Sequence, residues 1–461
     1  MVKSYDIAVI GAGPAGYTAA IKAAELGFSV CLIERNEVGG TCLNAGCIPT
    51  KTLIHTGNIF REIRDFEKNG IFGLNIESSY IDMEKLQERK EEVVQRLKNG
   101  ILYLLKKNNI DLIAGEASIQ DVNLILVGET EISATYIIIA TGSKPIKLHI
   151  PGANLPNVVY SEELLSKRDR AYEELIVIGG GVIGVEFAML YNSLGCKVTI
   201  IEALENLLPE MDKEISQNIS SIMKKRGIKI LTKTTLKKIE TDMELSNEPR
   251  LICTAILKDK GKEEIIACDG VLIAVGRKAE YENLFTGRLA FGVEGNRILA
   301  DQDFQTNIKG IYAIGDVSSK IQLAHMASAQ GTSLAFALSG RKGEIDLNTV
   351  PSCVYTSPEI ASVGMTLEQA ENQNIKAKEL KVQMQGNGKS VIEKQERGFI
   401  KVIIEEESEK IIGAHIICNR ATDMISEFVL AISLGLTRRD LANIIRPHPT
   451  YSESISEVLF Q

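Results

Sequence analysis

One arrangement occurs twice in this chain, and it constrains the fold more than any other feature of the sequence. A short apolar run, Asp6 to Ile10, leads straight into Gly11-Ala12-Gly13-Pro14-Ala15-Gly16. A helical pattern then runs to Leu26 and stops at Gly27, and a second apolar run, Ser29 to Ile33, ends on Glu34. The order returns at Leu175 to Ile178, Gly179-Gly180-Gly181-Val182-Ile183-Gly184, a helical run from Val185 to Leu194, and Lys197 to Ile201 ending on Glu202. From first glycine to acid is 23 residues in both copies, 11 to 34 and 179 to 202. A strand that enters a glycine-rich turn and a helix, with an acid closing the next strand, is built for a dinucleotide. Gly11 makes the tight turn, Gly13 lets a pyrophosphate approach the backbone, and Gly16 lets the helix pack on the strand. Gly179, Gly181 and Gly184 read the same way. The pyrophosphate belongs at the positive end of the helix, and Glu34 and Glu202 are placed to accept from a ribose hydroxyl. Two copies predict two dinucleotide sites in one α/β chain.

The two sites need not take the same nucleotide. Glu202 suits a free 2′-hydroxyl, whereas a 2′-phosphate wants an arginine nearby. The next arginine after Glu202 is Arg226, far along the chain. NAD is therefore favoured over NADP for the second copy.

Directly after the first copy comes Gly39-Gly40-Thr41-Cys42-Leu43-Asn44-Ala45-Gly46-Cys47-Ile48-Pro49-Thr50-Lys51. If this stretch is helical, the cysteines stand more than a turn apart and Gly46 lets the backbone bend between them. A disulfide, which needs Cα atoms roughly 4.4–6.8 Å apart, is then open to them. Oriented N–H groups at a helix start favour the thiolate, the reactive form. A zinc site wants a second ligand pair, and none is visible. On these residues alone, a redox pair and two packed cysteines remain equally open.

Composition excludes several classes. A net charge of −8 without a basic cluster argues against a nucleic-acid surface. No run reaches the roughly 18 apolar residues of a membrane helix. Met1 is followed by a strand with no apolar targeting segment, so a cytoplasmic location is expected. Eight cysteines in 461 residues do not suggest an extracellular disulfide scaffold, and in a reducing compartment a disulfide is more often catalytic. A chain of this length holds two to four domains.

Elsewhere, residues 52–109 read as largely helical, with a charged amphipathic run from Met83 to Lys107. Short strands follow from Ile119 to Ile132, and a strand from Tyr136 to Ile139 ends in Ala140-Thr141-Gly142-Ser143. The second copy carries a strand-rich excursion, Leu251 to Ile266, and a closing strand, Val271 to Val275, before Gly276-Arg277. Gly310 to Asp316 is a further strand ending on an acid, followed by Leu323-Ala324-His325 and a small-residue helix, Met326 to Leu338. Pro351 opens a last region of alternating strands and helices, closing on Arg446-Pro447-His448-Pro449-Thr450-Tyr451-Ser452-Glu453. Of five histidines, only His448 has a carboxylate placed nearby in a proline-rich turn. Histidine is the side chain suited to proton transfer near neutral pH.

Five of these motifs in this order resemble the FAD-dependent pyridine nucleotide–disulfide oxidoreductases: GAGPAG at Gly11, GGTCLNAGCIPTK at Gly39, GGGVIGVE at Gly179, YAIGD at Tyr312 and HPTYSE at His448. The resemblance runs the length of the chain. It implies an α/β fold of two Rossmann-like dinucleotide-binding domains, for FAD and NAD, plus a C-terminal α+β dimerisation domain. The expected boundaries are 1–150 and 277–347 for the flavin-binding parts, 151–276 for the NAD-binding domain and 348–461 for the interface domain. FAD would sit against the first glycine turn, Glu34, Gly40, Thr41, Lys51, Thr141, Gly142, Asp316 (on the ribityl chain), Leu323, Ala324 and His325. NAD would sit against Gly179, Gly181, Gly184, Glu186, Glu202 and Gly276. The catalytic residues implied are Cys42 as the exchanging thiol, Cys47 facing the flavin, a Lys51–Glu186 pair beside it, and His448 with Glu453 reaching in from a second subunit. The residues alone leave His325 open between packing and cofactor contact.

The activity implied is that of a homodimer which oxidises protein-bound dihydrolipoamide and reduces NAD. The lipoyl group is expected on a separate protein, an acyltransferase or a glycine-cleavage carrier protein. A glutathione-type relative would prefer NADP, against Glu202; a mercuric-type one would carry paired cysteines near its C-terminus, whereas the last here is Cys418. A flavin-binding protein with an interaction role only would retain FAD without turnover. No metal is expected.

Overall fold

Ile7, Ala8, Val9 and Ile10 form an unbroken apolar run because both faces of their strand are covered, and all four are buried. They close β1 (Lys3–Ile10). The structure, a computed structural model, describes residues 2–461 apart from 70–72, 74–75, 167–171, 243–249, 260, 286–288, 342–344 and 396. Residues 70–72 and 74–75 of the expected helical stretch, and 260 of the expected strands, thus lie outside the described residues.

From β1 the chain runs through α1 (Pro14–Glu25), β2 (Val30–Glu34), α2 (Gly40–Ala45), α3 (Cys47–Asn69) and α4 (Met83–Lys107). It continues through β3 (Asp111–Ala114), β4 (Ala117–Asp121), β5 (Leu124–Val127), β6 (Thr130–Ile139) and β7 (Ser143–Pro145). The sheet order is β3-β2-β1-β6-β5-β4, and β1 pairs in parallel with β2 on one side and β6 on the other. The strand order therefore reverses beside β1, and the crevice beyond Ile10 is where the first glycine turn lies. β6 begins earlier than the apolar run Tyr136 to Ile139 because its half-polar start, Thr130 to Ser133, pairs antiparallel with β5.

The second unit repeats the plan with β8 (Val158–Tyr160), α5 (Ser161–Ser166), β9 (Glu174–Ile178), α6 (Val182–Ser193), β10 (Lys197–Ile201), α7 (Lys213–Lys225) and β11 (Lys229–Leu231). An antiparallel excursion, β12 (Thr234–Asp242), β13 (Arg250–Leu257) and β14 (Lys262–Cys268), precedes the closing strand β15 (Gly270–Ile273). The sheet order β11-β10-β9-β15-β8 puts β9 where β1 stands in the first unit. β12 lies outside the expected strand stretch. It is an edge strand of its sheet, with Lys237 and Glu240 exposed and few apolar residues buried, so its sequence reads as polar.

The chain then returns. β16 (Arg277–Ala279) pairs antiparallel with β7, a short hairpin of β17 (Val293–Glu294) and β18 (Arg297–Ile298) follows, and β19 (Ile311–Ala313) joins β6 in parallel. α8 (Ala324–Leu338) starts two residues before the expected Met326, which puts His325 in its first turn.

The last region holds β20 (Ser352–Val354), β21 (Glu359–Gly364), α9 (Leu367–Asn372), β22 (Ala377–Gln383), α10 (Gly388–Ile392), β23 (Phe399–Glu405), β24 (Ile411–Cys418), α11 (Ala421–Ser433), α12 (Arg438–Ala442) and α13 (Glu453–Leu459). Its antiparallel sheet, β20-β21-β24-β23-β22, buries Ile400, Val402 and Ile416 against α11 and α13. Phe399 and Ile417, on the opposite face, pack into the core of the second unit.

Lys401 shares that inner face and is 5% exposed. Its ammonium lies 3.0 Å from Asp212, 3.1 Å from Glu214 and 3.2 Å from Glu379. Asp212 caps α7 through the N–H groups of Glu214 and Ile215, and Glu214 is also paired with Lys381, so two of the three acids keep other partners. Lys401→Ala is expected to cost about 3 kcal/mol, the lower end for opening a buried pair. Denaturant unfolding checks this; a change under about 1 kcal/mol, the scale of a surface pair, would mean the cluster is no clamp.

Candidate functional site

The two glycine turns share one geometry. Gly11 and Gly179 stand at φ of 102° and 107°, the left-handed region, and a Cβ there would lie 2.4 Å from Ala140 O and 2.3 Å from Ala274 O respectively. At Gly16 and Gly184 an added Cβ would meet the carbonyl oxygens of Gly11 and Gly179 at 1.8 and 1.9 Å, so helix and turn can touch only through glycine. α1 and α6 are capped by Gly13 and Gly181 with no side-chain hydrogen bond, leaving N–H groups for an anion.

Glu34 and Glu202 do more than the sequence suggests. Glu34 accepts from the N–H groups of Ala12 at 2.7 Å and Asn36 at 2.8 Å. Glu202 accepts from those of Gly180 at 2.5 Å and Leu204 at 2.6 Å. Each acid fastens its own glycine turn, and a carboxylate with about four acceptor positions still has some free for a ribose.

The cysteine stretch is two helices with a break. Gly46 (φ −145°, ψ −110°) ends α2, and Cys47 is the first residue of α3. Both cysteines are free thiols, and Cys42 donates a hydrogen bond to the Cys47 sulfur. That bond is the main cause bringing Cys47 down to about 7; burial opposes it and the Lys51 cation assists. Cys42 is pushed up by the same bond and by burial. The arrangement is a thiol beside a thiolate.

Lys51, one turn into α3, meets Glu186 of α6 with 2.7 Å between nitrogen and oxygen. Glu186 is 2% exposed, and its other oxygen accepts from the N–H of Tyr355 at 2.9 Å. The Lys51 ammonium also lies 4.7 Å from the centre of the Tyr355 ring. Tyr355 belongs to the last region and is absent from the sequence candidates, since a lone tyrosine after a strand carries no motif.

These residues line one cavity of about 1810 Å³. Both glycine turns, both cysteines, Lys51, Glu186, Glu34, Glu202, Gly40, Thr41, Thr141, Gly142, Gly276, Asp316, Leu323, Ala324 and His325 all contribute to its wall. Gly16 and Gly184 do not; they act behind the wall. His325 donates from Nε2 to Pro351 O at 2.8 Å, so it is anchored while facing the cavity. Asp316 accepts from the Ser143 hydroxyl at 2.6 Å, and burial pushes its carboxyl up. Thr141 Oγ1 is buried without a hydrogen-bond partner, an unmet group that a polar ligand in the cavity would satisfy.

His448 and Glu453 pair with each other but stand outside the cavity. His448 Nδ1 donates to Glu453 at 2.8 Å, and the second Glu453 oxygen accepts from the N–H of Thr450 at 2.8 Å. Those two bonds, Thr450 first, hold the Glu453 carboxyl below its usual range. The His448 side chain is 78% exposed. One chain does not bring it to the cysteines.

Among the described residues, no group of three or more His, Cys, Asp and Glu gathers as a metal site, and no helix is long and apolar enough to cross a membrane. The pattern of the pyridine nucleotide-disulphide oxidoreductases matches residues 5–331, and that of their dimerisation domain matches residues 350–459. A dihydrolipoyl dehydrogenase of Chlamydia pneumoniae is 37% identical over 463 residues, covering 99% of this chain and 96% of that one. One from Bacillus subtilis (strain 168) is also 37% identical, over 98% and 95% of the two chains. Among solved structures, the HOCl-induced flavoprotein disulfide reductase RclA from Escherichia coli superposes with a TM-score of 0.86 at 29% identity, over 99% of both chains. Its Cu(II) complex gives 0.87.

Proposed function

We propose a function from one premise: this chain belongs to the pyridine nucleotide-disulphide oxidoreductase family. Its cofactors are FAD and NAD, and the cavity fits both, with two glycine turns, two acids and the unmet hydroxyl of Thr141. On our reading it is a dihydrolipoamide dehydrogenase working as a homodimer, with Cys42 and Cys47 as its redox pair and His448 and Glu453 supplied by the second subunit. The observation that carries the sulfur chemistry is the hydrogen bond from Cys42 to a Cys47 sulfur brought down to about 7.

In the forward direction a substrate thiolate attacks Cys42 of the oxidised pair, the Cys42–Cys47 bond breaks, and Cys47 leaves as a thiolate. His448 takes the proton of the second substrate thiol, whose sulfur then displaces Cys42 and closes the product disulfide. Cys42 leaves as a thiolate and takes that proton from His448. The substrate has lost two electrons and the pair has gained them, in the thiol–thiolate arrangement described above. FAD, when bound, supplies the two-electron carrier between the sulfurs and the nicotinamide. Lys51, neutralised by the buried Glu186 and set over Tyr355, places a cation on the thiolate side of the cavity.

The substrate assignment leans on the dihydrolipoyl dehydrogenases that match along the whole chain. The likeness to a flavoprotein disulfide reductase favours a second reading, in which a disulfide substrate is reduced at the expense of NADH. Steady-state rates decide between them. Dihydrolipoamide with NAD is expected to turn over readily; a purified FAD enzyme that reduces disulfides with NADH but ignores dihydrolipoamide would establish the second reading.

Cofactor choice is a separate test. A 2′-phosphate set against the buried carboxylate of Glu202 faces like-charge repulsion, so kcat/KM is expected to favour NAD by about 100-fold or more. Glu202→Ala should narrow the ratio. Equal rates with NADP in the unmodified enzyme would remove the argument from this residue.

A further inference from the structure

Arg277 is not among the sequence candidates, yet it ties together segments of both nucleotide-binding units. Its Nε donates to the Ser143 hydroxyl at 2.8 Å, and Nη2 donates to the Ser143 carbonyl at 2.6 Å. Nη1 and Nη2 both donate to Glu162 of α5, at 3.1 and 3.2 Å, and Nη2 reaches the Thr41 hydroxyl of α2 at 3.5 Å. The fork is held in place by pairing of β16 with β7, where Ala279 lies opposite Ser143. Ser143 itself is buried.

The chemistry fixes the direction of these bonds. A guanidinium has donors only, so the Ser143 oxygen must accept from Arg277. Its single proton then goes to the remaining neighbour, Asp316 Oδ2, at 2.6 Å. The sequence of donors is Arg277, Ser143, Asp316, and Asp316 itself lines the cavity.

The geometry points to Ser143 and Arg277 as positioning residues acting in series on Asp316, one carboxylate oxygen being held by the protein and the other presented to a hydroxyl of the flavin's ribityl chain. This rests on the reading of Asp316 as a flavin contact made above. Burial pushes the Asp316 carboxyl up, and Ser143 first and Arg277 second push it back down. The elements packed against the Asp316 turn carry Arg277 and Lys278 on β16, Arg297 on β18 and His325 on α8, and Arg277 is the one whose charge acts on Asp316. With the relay broken, the carboxyl takes its proton at higher pH, and a protonated carboxyl no longer offers the same acceptor. Flavin retention should then fail sooner on acidification.

The test is FAD dissociation, followed by fluorescence of released flavin from acid to mildly alkaline pH. Ser143→Ala is expected to weaken FAD binding by about 10- to 100-fold, the range for a hydrogen bond to a charged group. Arg277→Met should weaken it too, and the double variant should be no weaker than Ser143→Ala alone, because links in series are not additive. Both single variants should lose flavin at higher pH than the unmodified chain, and Ser143→Thr, which keeps a hydroxyl, should restore the original acid limit. Should Arg277→Met fail to fold, the alanine and threonine variants at Ser143 decide. An unchanged affinity and acid limit in Ser143→Ala, or fully additive losses, overturns the relay. A failure of the unmodified chain to retain FAD overturns the flavin reading beneath it.

Discussion

Serine in place of Cys42 or Cys47 is expected to reduce dithiol turnover to background while FAD stays bound. Neither residue fastens a glycine turn, and oxygen cannot replace sulfur in disulfide exchange. The two variants should differ in colour. A thiolate packed against a flavin gives a long-wavelength charge-transfer band, and Cys47 is the sulfur that favours the thiolate. Cys42→Ser should therefore keep the band and Cys47→Ser should lose it. In the unmodified reduced enzyme the band should grow as pH rises through about 7, the value to which Cys47 is brought. Lys51→Met should move that midpoint upward, because a neighbouring cation favours the thiolate and its loss favours the thiol. A band that survives in Cys47→Ser and vanishes in Cys42→Ser would reverse the order of the two sulfurs.

How much of this was legible in the sequence depends on whether a feature is local. The glycine turns were legible because a left-handed residue and a helix touching its own turn leave no choice of side chain, as at Gly11 and Gly16. The helix from Met83 to Lys107 was legible in full; its amphipathic period, its Asp82 cap and the lysines of its last turn all lie within the segment. β12 was not, because an edge strand with exposed charges looks like a loop. The pairing of Lys51 with Glu186 spans 135 residues, and only the family resemblance joined them. Tyr355 and Arg277 carry no motif of their own. Their parts in the site come from folding the last region and β16 back onto the first unit.

His448 presents the opposite case, a residue whose motif is plain and whose place in one chain is incomplete. Arg446, two residues before it, donates to Ser456 and to Glu427, both at 2.6 Å, and so fixes the turn. Glu453 then holds the imidazole. Yet the imidazole faces solvent, and Ile445 beside it is 96% exposed. Leu430 of α11 and Leu434, just past its end, are exposed as well, in the region that matches a dimerisation domain. A second copy covering this face would bury those side chains and carry His448 to the cysteines of its partner, making each site a composite of two chains. His448→Gln is then expected to slow dithiol turnover by about 10²–10⁴-fold, the usual contribution of a general acid–base group, with FAD still bound. NADH-driven reduction of an artificial acceptor, which needs no proton moved between sulfurs, should be much less affected. Cys42→Ser chains, inactive alone, and His448→Gln chains, slowed alone, should complement in a heterodimer. One of its two sites would hold an intact cysteine pair facing an intact histidine, which restores up to half the normal activity. Heterodimers of defined composition that recover nothing would place the whole site within one chain and leave the exposed face of Ile445 without this role.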